Sequence, residues 1–164
     1  MAFVSDKQIR FHHCDPAGIV FYPQYFVLMN ELVEDWFDRR LGIPFSDLHR
    51  DDRLGVPMGR VECDFLAPSR IGDHLAFMLE VEHLGNASLR IAVTARSGDE
   101  VRVRATLTLV LASLESRRSV PIPAAIASYI ASAANGAGTK TIAVFAPVSA
   151  TATATVSKTG IPST

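Results

Sequence analysis

The chain has 164 residues, of which 48% are hydrophobic and 20% are charged. This is the composition of an ordinary soluble globule, and a chain of this length can form a core without a stabilising metal or disulfide. Its 16 basic and 17 acidic residues give a formal net charge of -1, which argues against a protein that wraps nucleic acid through a general positive field.

The first part of the chain predicts a strand followed by one long helix. Residues 3–12 contain β-forming side chains and end before the turn sequence Asp15-Pro16-Ala17-Gly18. From position 23 the apolar residues recur at three- and four-residue spacing, which predicts an amphipathic helix over 23–41. Gly42 then provides the stop signal.

The remainder predicts mostly strands. A short helical turn over 45–50 and a connecting loop over 53–57 come first. Predicted strands cover 58–66, 74–84, 89–95 and 101–111, and a short helix covers 124–134. Strands joined by short turns form an antiparallel meander, and the single amphipathic helix must cover one sheet face. We therefore expect an α+β fold in which one long central helix is wrapped by a curved antiparallel sheet.

The composition changes near residue 136. Residues 136–164 contain no Asp, Glu or Arg and are dominated by Ala, Thr, Ser and Gly. We interpret 1–135 as one domain and 136–164 as a weakly ordered, low-complexity tail, in which only 142–145 could form a short strand.

The two cysteines, Cys14 and Cys63, do not form a CxxC motif, so a zinc ribbon and a thioredoxin-type redox motif are not predicted. A disulfide between them is one alternative, and two reduced thiols are the expectation. The sequence shows neither a signal peptide nor a membrane-spanning run, so we expect a cytoplasmic protein.

Asp15 is the first candidate for chemistry. It lies in a tight turn shortly before the start of the longest helix, where backbone N–H groups have no partner within the helix and the dipole adds positive charge. Such a helix start can stabilise a developing oxyanion, and a nearby carboxylate can act as nucleophile or as base for water. The alternative is a turn with a local side-chain hydrogen bond and no catalytic role.

The segment 14–23, with the sequence CDPAGIVFYP, closely resembles the signature of the 4-hydroxybenzoyl-CoA thioesterase family. Further similar segments are Asp35-Trp36-Phe37, Leu41-Gly42, Phe65-Leu66-Ala67-Pro68-Ser69 and Gly72-Asp73. The resemblance extends over roughly residues 3–130 with matching order of elements.

This resemblance implies a hotdog fold, homodimers that often associate into homotetramers, and an acyl-CoA substrate bound at the subunit interface. Asp15 matches the catalytic carboxylate, the backbone N–H of Tyr22 matches the oxyanion donor, and Gly18 matches a position where the backbone approaches the thioester. It implies no metal and no prosthetic group, because coenzyme A belongs to the substrate. Neither nucleic acid nor membrane is an expected partner.

The coenzyme A contacts follow less directly from the sequence. Arg117 and Arg118 match a basic segment near the family's nucleotide-binding region, and they would suit phosphate groups; the alternative is a solvated charge pair. The enzyme after which the family is named carries basic residues in the hairpin that corresponds to residues 85–88. In this region the present chain has Ser88 and then Arg90. Ser88 either binds substrate or is a plain turn residue.

Other polar residues have simpler interpretations. His12, His13 and Cys14 are metal-capable, but on a strand adjacent side chains point to opposite faces, so we do not expect a metal site. Cys14 is interpreted as a small buried residue rather than a nucleophile. Glu62 and Asp64 lie two apart, on one strand face that is either exposed or part of an interface.

The sequence therefore predicts an acyl-CoA thioesterase, with an aromatic acyl group of the 4-hydroxybenzoyl kind as one candidate. Two alternatives remain. One is a thioesterase acting on acyl carrier protein or on a broad range of short acyl chains. The other is a non-catalytic hotdog module that binds acyl-CoA, which would have no need of the acid at position 15.

Overall fold

The computed structural model describes residues 2–134. Its strands are β1 (Phe3–Gln8), β2 (Leu54–Gly55), β3 (Met58–Phe65), β4 (His74–Leu84), β5 (Ser88–Ser97), β6 (Glu100–Val110) and β7 (Ala112–Ser113). Its helices are α1 (Pro23–Trp36), which continues as a π-helical turn over Phe37–Leu41, α2 (Phe45–Arg50) and α3 (Ala124–Ala134). The predicted tail over 136–164, with its candidate strand at 142–145, lies outside the described residues.

The main sheet is antiparallel and has the strand order β1-β4-β5-β6-β3. Its centre is the predicted meander β4-β5-β6, and β3 pairs with β6 at one edge. Alternate side chains of the central strands are buried, as a half-covered sheet requires. The two short strands β2 and β7 form a separate pair.

Helix α1 covers the apolar face of this sheet. Its buried side chains are Tyr25, Leu28, Met29, Leu32, Val33 and Trp36, and they belong to the same cluster as the buried residues of β4, β5 and β6. The helix predicted over 23–41 is confirmed, with its last turn widened into π geometry. Gly42 ends it with a φ of 67°, a left-handed conformation that favours glycine.

Two local predictions are wrong. The strand expected over 3–12 ends at Gln8, because residues 11–13 form a 3-10 turn in which the Arg10 N–H donates to His13 Nδ1 at 3.0 Å. The loop expected over 53–57 contains strand β2, which pairs with β7. Both differences come from contacts that hydrophobic periodicity does not report.

A group of ion pairs joins β1 to the second half of α1 and to the π-helical turn that follows it. Asp35 accepts a 2.8 Å hydrogen bond from the Ser5 hydroxyl, and its carboxylate lies 2.9 Å from both Lys7 Nζ and Arg39 Nη2. Lys7 also contacts Glu31 at 3.1 Å. Partial burial acts to raise the pKa of Asp35, but the bonds and charges of its partners outweigh it and lower the pKa below its ordinary value.

None of the helices in the described part of the chain is long and apolar enough to cross a membrane.

Candidate active site

The turn predicted around Asp15 is closed by three hydrogen bonds. The Gly18 N–H donates to the Asp15 carbonyl at 2.9 Å, and the Asp15 N–H donates to the Ile19 carbonyl at 3.0 Å. The Asp15 side chain accepts a 2.8 Å bond from the Ala17 N–H through Oδ1. Gly18 has a φ of 76°, which a residue with a Cβ adopts only under strain. The local side-chain bond that was one alternative is therefore present, and it leaves Oδ2 without a partner within residues 2–134.

The turn folds back onto the start of α1. Cys14 and Val20 form an antiparallel bridge, and the Phe21 N–H donates to the His13 carbonyl at 2.9 Å. Asp15 thus lies on the same short loop as Tyr22, whose backbone is already helical.

The Tyr22 N–H is the available donor at this helix start. The N–H groups on either side are engaged, since Phe21 donates to His13 and Gln24 donates to the Phe21 carbonyl at 2.8 Å. Pro23 has no N–H. Among the described residues the Tyr22 N–H has no acceptor, so it can donate to a ligand atom placed at the positive end of α1.

A second loop, over residues 66–73, supports this arrangement. The Ser69 carbonyl accepts a 2.9 Å bond from the Val20 N–H, and Ile19 forms a bridge with Arg70. The buried Tyr25 hydroxyl donates to the Ser69 hydroxyl at 2.9 Å, and burial raises the pKa of Tyr25. Tyr25 and Ser69 were not among the predicted site residues, because they are 44 positions apart and no spacing rule pairs them.

An open pocket of about 480 Å³ lies beside the turn. Its lining includes Ile19, Tyr22, Phe65, Leu66 and Ser69 and is mostly apolar. The Phe65 ring lies 6.1 Å from that of Tyr22 and 5.7 Å from that of Tyr25, and its side chain is about half exposed. An aromatic or aliphatic group would fit against this wall.

His12 and His13 require a correction. They lie in the 3-10 turn rather than on a strand, and their rings meet at 4.1 Å instead of pointing to opposite faces. Burial, and after it the charge of His12, lowers the pKa of His13, which agrees with its Nδ1 accepting a hydrogen bond. No group of three or more metal-capable side chains is present in residues 2–134 that could hold an ion.

The two cysteines are free thiols in the structure, so the disulfide that the sequence allowed is not formed. Burial raises the pKa of Cys63 to about 11, and the charge of Asp64 adds to this effect.

The predicted coenzyme A residues lie at the other end of the sheet. Ser88 pairs with Val110 at the end of β6. Arg117 donates its N–H to Ser113, and the carbonyl of Arg118 accepts from Ser113, just beyond that end. Arg90 is exposed and forms a 3.0 Å ion pair with Glu82.

Within one chain the structure does not bring these residues to Asp15. Phe65, beside the Asp15 turn, pairs with Val103, whereas Met58, at the end near Ser88, pairs with Leu109. Val103 and Leu109 are six positions apart along β6, which corresponds to about 20 Å. Asp15, Gly18 and Tyr22 therefore form one group, and Ser88, Arg117 and Arg118 lie at the opposite end.

One long helix on an antiparallel sheet, with a carboxylate turn at the helix start, is the arrangement of a hotdog-fold thioesterase. The chain belongs to the thioesterase-like superfamily, whose family model matches residues 9–130. The predicted fold and class of enzyme, a thioester hydrolase, are confirmed.

Several relatives are named for particular substrates. A 1,4-dihydroxy-2-naphthoyl-CoA hydrolase of Nostoc punctiforme is 23% identical over 79% of this chain and 87% of its own. A 1,4-dihydroxy-2-naphthoyl-CoA thioesterase from Synechocystis superposes with a TM-score of 0.73 at 20% identity, over 80% of this chain and 96% of its own. A gentisyl-coenzyme A thioesterase superposes with a TM-score of 0.72 at 26% identity, over 78% and 99%. These names differ from the 4-hydroxybenzoyl-CoA thioesterase that the signature resembles.

Proposed function

We propose that the protein hydrolyses an aromatic acyl-CoA thioester to the free acid and coenzyme A. One observation carries the proposal: the Asp15 carboxylate and the Tyr22 N–H at the helix start lie on the same short loop, and within residues 2–134 neither Asp15 Oδ2 nor the Tyr22 N–H has a partner. Hydrolysis of a thioester requires a group that attacks or activates water, and a donor for the oxyanion that forms.

In this mechanism the thioester carbonyl oxygen accepts the Tyr22 N–H. Asp15 Oδ2 then either attacks the carbonyl carbon, which gives an acyl anhydride with Asp15 that a water molecule afterwards hydrolyses, or takes a proton from an attacking water molecule. The carbon–sulfur bond breaks, coenzyme A leaves as the thiol after gaining a proton, and the acyl group leaves as the acid. Gly18 has no side chain, and nothing lies within 4 Å of the place where its Cβ would stand. The thioester can therefore approach the backbone at this position. The proposed reaction uses no metal and no prosthetic group.

The aromatic acyl group is supported by two observations. The pocket beside the turn is mostly apolar and includes the half-exposed ring of Phe65. Relatives that cover most of the chain are named for 1,4-dihydroxy-2-naphthoyl-CoA and gentisyl-CoA.

We further propose that two copies complete the site by pairing through β3. This strand has β6 on one side and no strand on the other within the described residues. Val61 and Phe65 face the helix side of the sheet yet are 38% and 47% exposed. A twofold axis would pair the two β3 strands antiparallel, so that the Phe65 end of one lies near the Met58 end of the other. This brings Asp15 of one subunit near Ser88, Arg117 and Arg118 of the other, where the phosphates of coenzyme A would bind.

The test is the release of free thiol from aryl-, phenylacetyl- and straight-chain acyl-CoA esters by the wild type and by Asp15→Asn. Asn can still accept the Ala17 bond, so the turn should persist. We expect turnover of an aromatic ester to fall by about 10²–10⁴-fold in this variant, as for loss of a general base or nucleophile. Asp38→Asn, which removes an exposed carboxylate elsewhere, should match the wild type.

Near-wild-type turnover by Asp15→Asn would overturn the role of Asp15. Turnover confined to acyl carrier protein esters, or tight acyl-CoA binding without turnover, would replace the proposed function by one of the two alternatives. Light scattering reports the assembly, and a strictly monomeric active protein would overturn pairing through β3.

A further inference from the structure

The imidazole of His13 closes the 3-10 turn that precedes the Asp15 loop. His13 is buried, whereas its neighbour His12 is exposed. The Arg10 N–H donates to His13 Nδ1 at 3.0 Å, and the His13 N–H donates to the Arg10 carbonyl at 3.0 Å. Because a backbone N–H only donates, Nδ1 carries no hydrogen and the ring is neutral. The turn is therefore closed by one protonation state of His13.

The backbone of the same residue supports both groups of the proposed mechanism. The His13 carbonyl accepts a 2.9 Å hydrogen bond from the Phe21 N–H. Phe21 directly precedes Tyr22, whose N–H is the proposed oxyanion donor, and His13 lies two residues before Asp15. A shift of the His13 backbone would therefore move Asp15 and the Tyr22 N–H relative to each other.

We infer that His13 is a positioning residue, whose neutral imidazole holds Asp15 in place against the Tyr22 N–H, and that protonation of this ring disables the site. The inference rests on the proposed function. A hydrogen on Nδ1 would point at the Arg10 N–H, so the 3.0 Å bond would be replaced by a contact between two donors. The turn would then open, and the His13 carbonyl would no longer fix Phe21.

The surroundings of His13 favour the neutral ring. Burial is the largest cause that lowers the pKa of His13 below its ordinary value of 6.5, and the charges of His12 and Arg10 act in the same direction. Glu31 on α1 acts to raise this pKa, but it is paired at 3.1 Å with Lys7 of β1. Because the neutral ring binds the Arg10 N–H, the site is complete above the pKa of His13 and is lost as the pH falls through it.

The experiment measures kcat and KM between pH 5 and 8, with the aromatic acyl-CoA ester that the wild type hydrolyses fastest. In His13→Asn the side-chain oxygen can accept the Arg10 N–H and does not titrate. We expect this variant to retain most of the wild-type kcat at pH 8 and to lose the decline of kcat that His13 causes towards pH 5. His74→Asn, which changes an exposed histidine at the start of β4, should keep the wild-type pH profile.

His13→Leu removes the acceptor and keeps an apolar side chain in the buried position. We expect its kcat to fall by about tenfold or more at every pH with KM nearly unchanged, because a small displacement of reacting groups costs mainly rate. A kcat at the wild-type level in His13→Leu, or an unchanged acid decline in His13→Asn, overturns the inference and leaves the hydrolysis intact.

Two neighbouring charges should move the acid decline in opposite directions. His12→Asn removes a positive charge beside His13, so the decline should shift to higher pH. Glu31→Gln removes a negative charge, so the decline should shift to lower pH. Shifts of the same sign in both variants would overturn the assignment of the decline to His13.

Amide hydrogen exchange tests the inference without substrate. It decides if the wild type hydrolyses none of the esters or if His13→Leu does not fold. The protection of the Phe21 N–H, corrected for the intrinsic effect of pH on exchange, should fall in the wild type as His13 is protonated and stay constant in His13→Asn. Constant protection of Phe21 in the wild type overturns the inference.

Discussion

The hydroxyl of Tyr25 donates a 2.9 Å hydrogen bond to the hydroxyl of Ser69, and both residues are almost fully buried. Tyr25 lies in the first turn of α1, and the Ser69 carbonyl oxygen accepts a hydrogen bond from the Val20 N–H. This contact therefore connects the helix start, where Tyr22 lies, to the loop that carries Asp15. It makes Tyr25 a positioning residue for the proposed reaction.

Tyr25→Phe tests this role, because it removes the hydroxyl and keeps the ring. Loss of one buried hydrogen bond should lower the free energy of unfolding by about 1–2 kcal/mol. We expect kcat to fall several-fold with KM nearly unchanged, since the substrate contacts remain while the helix start and the Asp15 turn lose their common support. Tyr129→Phe is the matched control, because the partly buried Tyr129 hydroxyl has no bond among the described residues. A similar kcat for both variants would contradict the positioning role.

Gly18→Ala should strain the Asp15 turn. An L-residue at a φ of 76° costs about 1–2 kcal/mol, and since the Gly18 N–H donates to the Asp15 carbonyl, a change of the backbone at Gly18 is expected to move Asp15. We therefore expect both a lower melting temperature and a marked loss of kcat. Gly98→Ala is the control, since Gly98 has a φ of 57° and equal space but lies in the β5–β6 turn. The control should lose stability and keep its kcat, and equal losses of kcat would show that strain at Gly18 acts only through stability.

Asp35 makes stability depend on acid pH. Its pKa is lower in the folded chain than its ordinary value of 3.8, so the carboxylate stabilises the fold above that value, and the contribution is lost as the pH falls through the folded pKa. We expect Asp35→Asn to be less stable than the wild type by about 1–2 kcal/mol at pH 7, with the difference shrinking below about pH 4. Urea unfolding of both proteins at pH 7, 5 and 3 measures this difference in the free energy of unfolding. A difference that stays constant over this range would show that Asp35 acts through packing alone.

Cys63 should resist alkylation. Its thiol, with a pKa of about 11, carries little thiolate at neutral pH, and the thiolate is the reactive form. Iodoacetamide at pH 7.5 should leave Cys63 mostly unmodified in the folded protein and modify it after unfolding in urea. Mass spectrometry of the digested peptides measures the labelled fraction of Cys63 in the folded and in the unfolded protein. Equal labelling in both states would contradict the raised pKa.

Elements defined by a long periodic pattern were predictable from the sequence. The stripe of α1 and the alternation along β4, β5 and β6 are repeated over several turns or residue pairs, so burial of one face fixes both their type and their extent. The turn at Asp15 was predictable for a related reason, because Pro16 and Gly18 restrict the backbone on their own.

The remaining features depend on contacts between distant residues. The 3-10 turn before Cys14 uses the ring of His13 as an acceptor, and β2 exists only because β7 passes beside it. Ser88 and Asp15 were both predicted as site residues, yet their places at opposite ends of the sheet follow from the direction of β3 and β6. One-dimensional spacing contains no information on such directions.

The two outer strands of the sheet differ in length and in their contacts with α1. β1 has six residues, and its Lys7 forms an ion pair with Asp35 of α1, whereas β3 has eight residues. Both strands carry half-exposed apolar side chains, Val4 in β1 and Phe65 in β3. A sheet with two equally receptive ends would add copies without limit and form a fibre. In the proposed pairing through β3, a single self-complementary contact occupies the receptive edge of each sheet, and sheet extension would then stop at two chains.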